Sequence, residues 1–295
     1  MDGTTRVRTA GPGAIDEVVV AASGNRALRV LVASGRACSL HGAGAPAVVV
    51  PLSGCVTLSE NESTRVLRAG RLFLGDGASP LGVIGSAGSL AVTLVAPPGT
   101  WRQLVDAISD QPIPGPLLLP ATHAADRSVR RAVAHLARIA RGGAAPREAD
   151  GAVLRLVALL LDLQATLDPL VARCPGRTLG QRRGVLLRLQ RVRNLMESCS
   201  EAGLGIAGLA RVASYSPSHF LRTFNAVYGT TPHSVLVEQR LARARRLVDT
   251  TALSIAEVAR ASGFENRCAF ARSFKRRFGE TASAVREGRS AAVCG

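Results

Sequence analysis

An α+β architecture is expected: a small antiparallel β-barrel or sandwich first, then helices, then an all-helical C-terminal domain. Residues 26–96 are short β-branched runs broken by Gly and Ser turns, which is the pattern of many short strands. From about 126 the apolar spacing becomes helical, and the last third carries one two-helix pattern twice, about fifty residues apart. Hydrophobic residues make up 47% of the 295 positions, enough for two cores. With only 3% aromatics, Leu, Val, Ile and Ala must build those cores.

Residues 1–25 are weakly patterned and read as an arm leading into a strand at Val18–Ala21. Strands follow at Leu28–Ala33, Ala47–Leu52, Cys55–Leu58, Arg71–Leu74 and Leu90–Val95, and Pro97-Pro98-Gly99 ends the region. Asp126–Arg141 reads as an amphipathic helix with a basic outer face. A second helix, about Glu148 to Leu167, is apolar nearly all round and needs cover on several sides. The barrel supplies one side and a second copy of the chain another, so a homodimer through 126–168 is expected. Packing wholly within the monomer is the alternative. Residues 174–181 read as a linker between a domain over 1–173 and another over 182–290. In the latter, Gly184–Ser198 is a helix, and Pro232–Asp249 is a longer one spanning roughly 24 Å.

The net charge of +16 is uneven: residues 180–295 hold 19 basic against 8 acidic side chains, and residues 1–179 hold 18 against 13. A positive field concentrated on the last third suits a polyanion. The six cysteines form no CxxC pair and no zinc spacing, so neither a metal nor a cofactor is expected. The first residues lack the apolar core of a signal peptide, and the most apolar stretch, Val153–Leu163, is interrupted by Arg155 and Asp162. The expectation is a cytoplasmic protein, free of membrane, with reduced thiols. Enzyme chemistry is disfavoured. The strand region holds only His41, Glu60 and Glu62 have no His nearby, and no phosphate loop or nucleophile elbow stands in its required context.

The repeated pattern is a helix-turn-helix. Ile206–Ala213, Ser214-Tyr215-Ser216 and Pro217–Phe224 form one copy, closing at Tyr228-Gly229; Ile255–Ser262, Gly263–Asn266 and Arg267–Phe274 form the other, closing at Phe278-Gly279. In such a unit the second helix enters the major groove of double-stranded DNA. That puts Ser218, Leu221 and Arg222 on the base-facing side of the first copy, with Phe220 and Phe224 inward. Arg267, Cys268, Ala271 and Arg272 take the equivalent side of the second. Arg222, Arg267 and Arg272 carry guanine-reading forks. Lys275, Arg276 and Arg277 follow as a phosphate-facing run. Asn266 stands where it can cap the helix and meet phosphate, and His219 reads as packing or capping.

These stretches, with Arg240–Leu247 between them, resemble the AraC/XylS family of bacterial transcription regulators over about 110 residues. The resemblance implies a double helix-turn-helix domain, base contacts at the matching positions and a phosphate contact at Ser216. Ala282 and Val285 depart from the family's usual proline and aromatic. The first ~170 residues resemble the family's sensor half, a cupin-like barrel with paired helices, in outline. The implied function is sequence-specific regulation, activating or repressing, with DNA, RNA polymerase and a small-molecule effector as partners. A thiol-responsive regulator using Cys38, Cys55 or Cys268 and a cupin-type enzyme are the alternatives.

Overall fold

The computed structural model describes residues 6–8, 13–22, 26–60, 63–142, 146–198 and 205–293. Strands β1 (Arg6–Arg8), β4 (Cys38–His41), β9 (Leu81–Gly85), β6 (Cys55–Glu60) and β7 (Ser63–Arg68) form one antiparallel sheet in that order. β11 (Ala121–Ala124), β8 (Arg71–Gly75), β5 (Ala47–Ser53), β10 (Leu90–Val95), β3 (Arg26–Gly35) and β2 (Gly13–Ala22) form the other. No described strand belongs to both sheets, so the expected closed barrel is corrected to an open two-sheet sandwich. β7 pairs only with β6, and β8 turns instead to β5 and β11, which leaves the barrel seam unclosed.

Alternation along the six-stranded sheet sorts its side chains onto two cores. Leu31, Val49, Phe73 and Ala91 meet Val56, Leu58, Leu67 and Val83 of the opposite sheet. Val30, Val32, Val50, Leu72, Leu74, Val92 and Leu94 face the other way, against helices α1 (Pro98–Asp106), α2 (Arg127–Gly142) and α3 (Pro146–Ala165). The helical layer therefore covers the outer face of one sheet. Within α3, Leu156, Val157 and Leu160 are buried, Leu159, Leu161 and Leu163 pack partly against the same core, and none is among the exposed large hydrophobics. Much of its all-round apolarity is thus covered inside one chain, and composition alone no longer calls for a second copy.

Cys38 and Cys55 lie on β4 and β6 with β9 between them; the strands are roughly 9–10 Å apart at the usual spacing, and Cys55 is two residues out of register with Cys38, since Ile84 faces Cys38 on one side and Thr57 on the other. The distance exceeds the Cα separation of about 7 Å that a disulfide tolerates. Cys174 is buried, donates to the Leu170 carbonyl at 3.3 Å, and burial pushes its thiol up to about 11, away from thiolate reactivity. Cys199 and Cys294 lie outside the described residues. Among the described residues no three His, Cys, Asp or Glu side chains converge as a metal site, and no helix is long and apolar enough to cross a membrane.

The chain divides into two compact units between Asn194 and Leu195. This point lies inside α5 (Leu179–Ser198), beyond the stretch 174–181 read from sequence as the linker. The first turns of α5 are tied to the N-terminal unit: Arg183 donates to the carbonyls of Pro116 at 3.0 Å and Leu117 at 3.2 Å. Residues 174–181 are themselves ordered by a cap, in which Gln181 Oε1 accepts from the amides of Arg177 and Thr178. The second unit is helical: α6 (Ile206–Val212), α7 (Pro217–Tyr228), α8 (Pro232–Thr250), α9 (Ile255–Ala261), α10 (Arg267–Phe278) and α11 (Ala282–Val293).

Candidate nucleic-acid interface

Each second helix is started by a side-chain cap. Ser216 caps α7 by accepting from the His219 amide, and Pro217 occupies the first helical position, where no amide donor is needed. Asn266 caps α10 more fully, accepting from Cys268 at 2.8 Å and Ala269 at 3.1 Å. The turns differ by one residue: Ser214 and Tyr215 separate the caps in the first copy, and Gly263, Phe264 and Glu265 in the second. Both turns place a left-handed residue just past the first helix, at Ser214 (φ 56°) and Gly263 (φ 84°). Tyr215 then donates back to the Ala210 carbonyl at 2.9 Å and Phe264 to Ala259 at 3.0 Å, the closing bond of a Schellman turn.

The same aromatic ladder holds both helices from behind. Phe220, Phe224 and Tyr228 step along α7 with ring centroids 5.6 and 4.6 Å apart, and Phe270, Phe274 and Phe278 along α10 at 5.4 and 4.6 Å. Phe220, Phe224, Phe270 and Phe274 are fully buried. With these residues inward, helical geometry turns Ser218, Leu221 and Arg222 outward on α7, and Arg267, Cys268, Ala271 and Arg272 outward on α10. All seven are exposed, and Leu221 is notable as an apolar side chain left at 38% exposure. His219 rests its ring on Tyr215 at 4.5 Å, a packing contact.

Charge placement separates the basic residues. Arg222, Arg267, Arg272, Lys275 and Arg276 are exposed and form no ion pair among the described residues. Arg277 is different: its Nε donates to Glu238 of α8 at 2.6 Å, and its guanidinium lies 5.4 Å from the Phe278 ring centre. Arg245 bonds Asp249 and Glu280, each at 3.1 Å, with Phe278 on its face at 5.7 Å. The hydrogen bonds Arg245 donates to Glu280 and Asp249 raise its pKa above the ordinary value. The end of α10 is therefore strapped to α8 by two arginines, each exposed enough that the pair is worth at most about 1 kcal/mol. Asp249 lies four residues from Arg245 on the same helix, whereas Glu280 is 35 residues away in sequence and left no local signal.

Helix α8 joins the two copies. Thr231 caps it through the Ser234 amide at 3.1 Å, and its 19 residues span about 28 Å. Helix α9 opens with a reciprocal capping box between Ser254 and Glu257, whose hydrogen bonds hold the Glu257 carboxyl below its usual range. Ala282 and Val285, where proline and an aromatic were the expected residues, are buried in one core with Phe270, Phe274 and Leu241, and the Thr281 hydroxyl oxygen caps the start of α11 by accepting the Ala284 amide at 3.2 Å.

Residues 209–288 match a family model described as a helix-turn-helix domain. A Rhizobium meliloti protein, "HTH-type transcriptional regulator GlxA", is 40% identical over 91 residues, which are 31% of this chain and 28% of that one. The Escherichia coli arabinose operon regulatory protein is 31% identical over 94 residues, 32% of each chain. Among solved structures, the DNA-binding domain of AdpA in complex with a target DNA is 30% identical, covers 35% of this chain and 89% of that one, and has a TM-score of 0.29. The chain thus spans about a third of the curated relatives it matches.

Proposed function

The C-terminal helical domain of this chain is of the AraC/XylS type, and on that premise we propose that the protein is a sequence-specific transcriptional regulator reading two adjacent major-groove segments. One observation carries the reading: two recognition helices of one pattern each present at the same position an exposed arginine with no ion pair among the described residues, Arg222 and Arg272. A guanidinium fork pairs with the O6 and N7 acceptors of guanine, worth about 1–3 kcal/mol of discrimination. Ser218, Leu221, Arg267, Cys268 and Ala271 complete the two base-facing surfaces, with Leu221 offering apolar contact to a thymine methyl. Ser216 meets phosphate through the hydroxyl proton left free by its cap. The cap takes both bonds of Asn266 Oδ1, leaving its amide nitrogen for phosphate.

Replacing Arg222 or Arg272 by Ala is expected to relax base preference in one half of the site each, by about 1–3 kcal/mol, while the other half keeps its preference. Fluorescence anisotropy against single-base variants of a selected site reads this out. Equal weakening on every sequence would make these arginines phosphate contacts and sink the assignment. Lys275 and Arg276 are the free phosphate-facing charges. Converting both to Gln is expected to lower the slope of log K against log salt by nearly 2, at about 0.9 per contact. Arg277→Gln, which removes a charge already engaged by Glu238, is expected to change the slope less than Arg276→Gln.

The N-terminal unit is the sensing half of this proposal. An effector or a homodimer contact through 126–168 favours the arrangement that sets both DNA modules on the operator, by linkage. RNA polymerase is the further partner that regulation requires, the cytoplasm is the compartment, and the activity is binding and not catalysis.

A further inference from the structure

The N-terminal unit contains a cavity of about 340 Å³ outside the sandwich, between α1, the segment 115–118 and α5. Its walls are mostly apolar, with Trp101, Leu117, Leu118 and Leu187 contributing. The size falls at the lower end of the roughly 300–1,000 Å³ typical of small-molecule sites. The walls are held in place before anything binds. The Trp101 indole N–H donates to the Pro46 carbonyl at 3.1 Å, fixing the ring. Arg102 clasps the carbonyls of Ile113 and Gly115, each at 2.9 Å, and so fixes the rim.

The charged groups lining the cavity are Asp76, Arg102 and Arg191, two positive and one negative. Asp76 is only 9% exposed at its side chain and is fully used: one oxygen accepts the Ala78 amide at 3.1 Å, the other the Nε of Arg191 at 2.6 Å. The terminal nitrogens of Arg102 are spent on carbonyls. Those of Arg191 have no partner among the described residues, and Arg191 is one of the residues lining this mostly apolar cavity. With Asp76 offsetting one arginine, the lining keeps a net single positive charge, and the outer edge of the Arg191 fork is the donor left beside apolar walls, which matches a single carboxylate on an apolar body.

We propose that this cavity is the effector site and takes a small monocarboxylate with an apolar body, its carboxylate paired with Arg191. The assignment rests on the reading of the N-terminal unit as the sensing half. It also names where a ligand signal enters. Leu187 and Arg191 lie one turn apart on α5, the helix that continues through the division between the two compact units.

Trp101 is the only tryptophan in the chain, so its emission reports this cavity in the full-length protein. Hexanoate and phenylacetate are titrated beside their neutral amides, hexanamide and phenylacetamide, to about 10 mM. The expected result is a saturable change with at least one carboxylate and none with the matching amide. Arg191→Gln, which keeps a donor for Asp76, should weaken that binding at least tenfold. Leu187→Phe, which fills the cavity and leaves the charges alone, should weaken it also, and it decides the matter if Arg191→Gln does not fold. No saturable change with either carboxylate, equal response to the amides, or unaltered binding by the variants overturns the proposal. Operator binding by the same samples is measured separately. Intact sequence-specific binding with no Trp101 response removes the effector site alone, whereas a Trp101 response without sequence-specific binding removes the regulator reading.

Discussion

Phe274→Ala is expected to destabilise the C-terminal unit by about 3–5 kcal/mol, the usual cost of emptying a large aromatic site in a packed core. Phe274 is fully buried and lies between Phe270 and Phe278 in the ladder that holds the second recognition helix. It shares one core with Leu241, Ala244 and Val248 of α8 and Val258 and Ala259 of α9, so the ring belongs to the cluster in which three helices meet. Domains are stable by only about 5–15 kcal/mol, and a unit of roughly a hundred residues has little reserve against such a loss. Because Trp101 lies in the other unit, denaturation followed by Trp101 emission and by far-ultraviolet circular dichroism separates the two cores. The helical transition should move to lower denaturant while the Trp101 transition stays where it is. A Trp101 midpoint shifted by the same amount would mean that the two units unfold as one.

Acidification is expected to weaken the N-terminal unit through His41. The side chain is fully buried on β4, its Nε2 lies 3.1 Å from the Ser39 hydroxyl, and its Nδ1 has no partner among the described residues. Burial, helped by the charge of Arg29, pushes its pKa from 6.5 down to about 4. The folded pKa is depressed, so the neutral ring's contribution is present above pH 6.5 and is lost as the pH falls towards 4. At 1.36 kcal/mol per pH unit the loss amounts to roughly 3 kcal/mol. His123 is shifted in the same direction by burial, and Glu60 in the opposite sense, since burial raises its carboxyl. His41→Gln isolates the His41 contribution: between pH 7 and 4 it should lose less stability than the parent, by that amount, with Trp101 emission as the probe. Identical pH slopes for the two proteins would remove His41 as the cause.

The elements legible in the sequence were those whose surroundings write a simple pattern. Strands β3, β5, β8 and β10 belong to the six-stranded sheet, which is covered by helices on one face and by the other sheet on its second, so they read as continuous apolar runs. The opposite sheet has exposed positions such as Leu40, Val66 and Ile84 on its outer face; its strands β4 and β7 mix Ser, Arg and His with few apolar residues, and Val83 and Ile84 of the short β9 are bracketed by Gly82 and Gly85, so none of the three stands out in the sequence. Helix α1 was hidden by Pro97 and Pro98, which look like a chain break but start the helix. The recognition helices were legible because caps, aromatic spacing and closing glycines recur fifty residues apart. What the sequence could not convey was occupancy: among the described residues Arg277 is taken by Glu238 while Arg276 has no ion-pair partner, and Arg191 keeps its outer edge open. Those facts depend on partners far away in the chain.

The central claim is that both helix-turn-helix copies read bases, and selection of binding sites from random duplex DNA by the full-length chain tests it most directly. The enriched sequences should share two conserved segments about one helical turn apart, the spacing of successive major-groove faces on one side of DNA. A pool that stays random while binding keeps a steep salt dependence would contradict the claim, since that is the behaviour of a basic surface that grips phosphate alone.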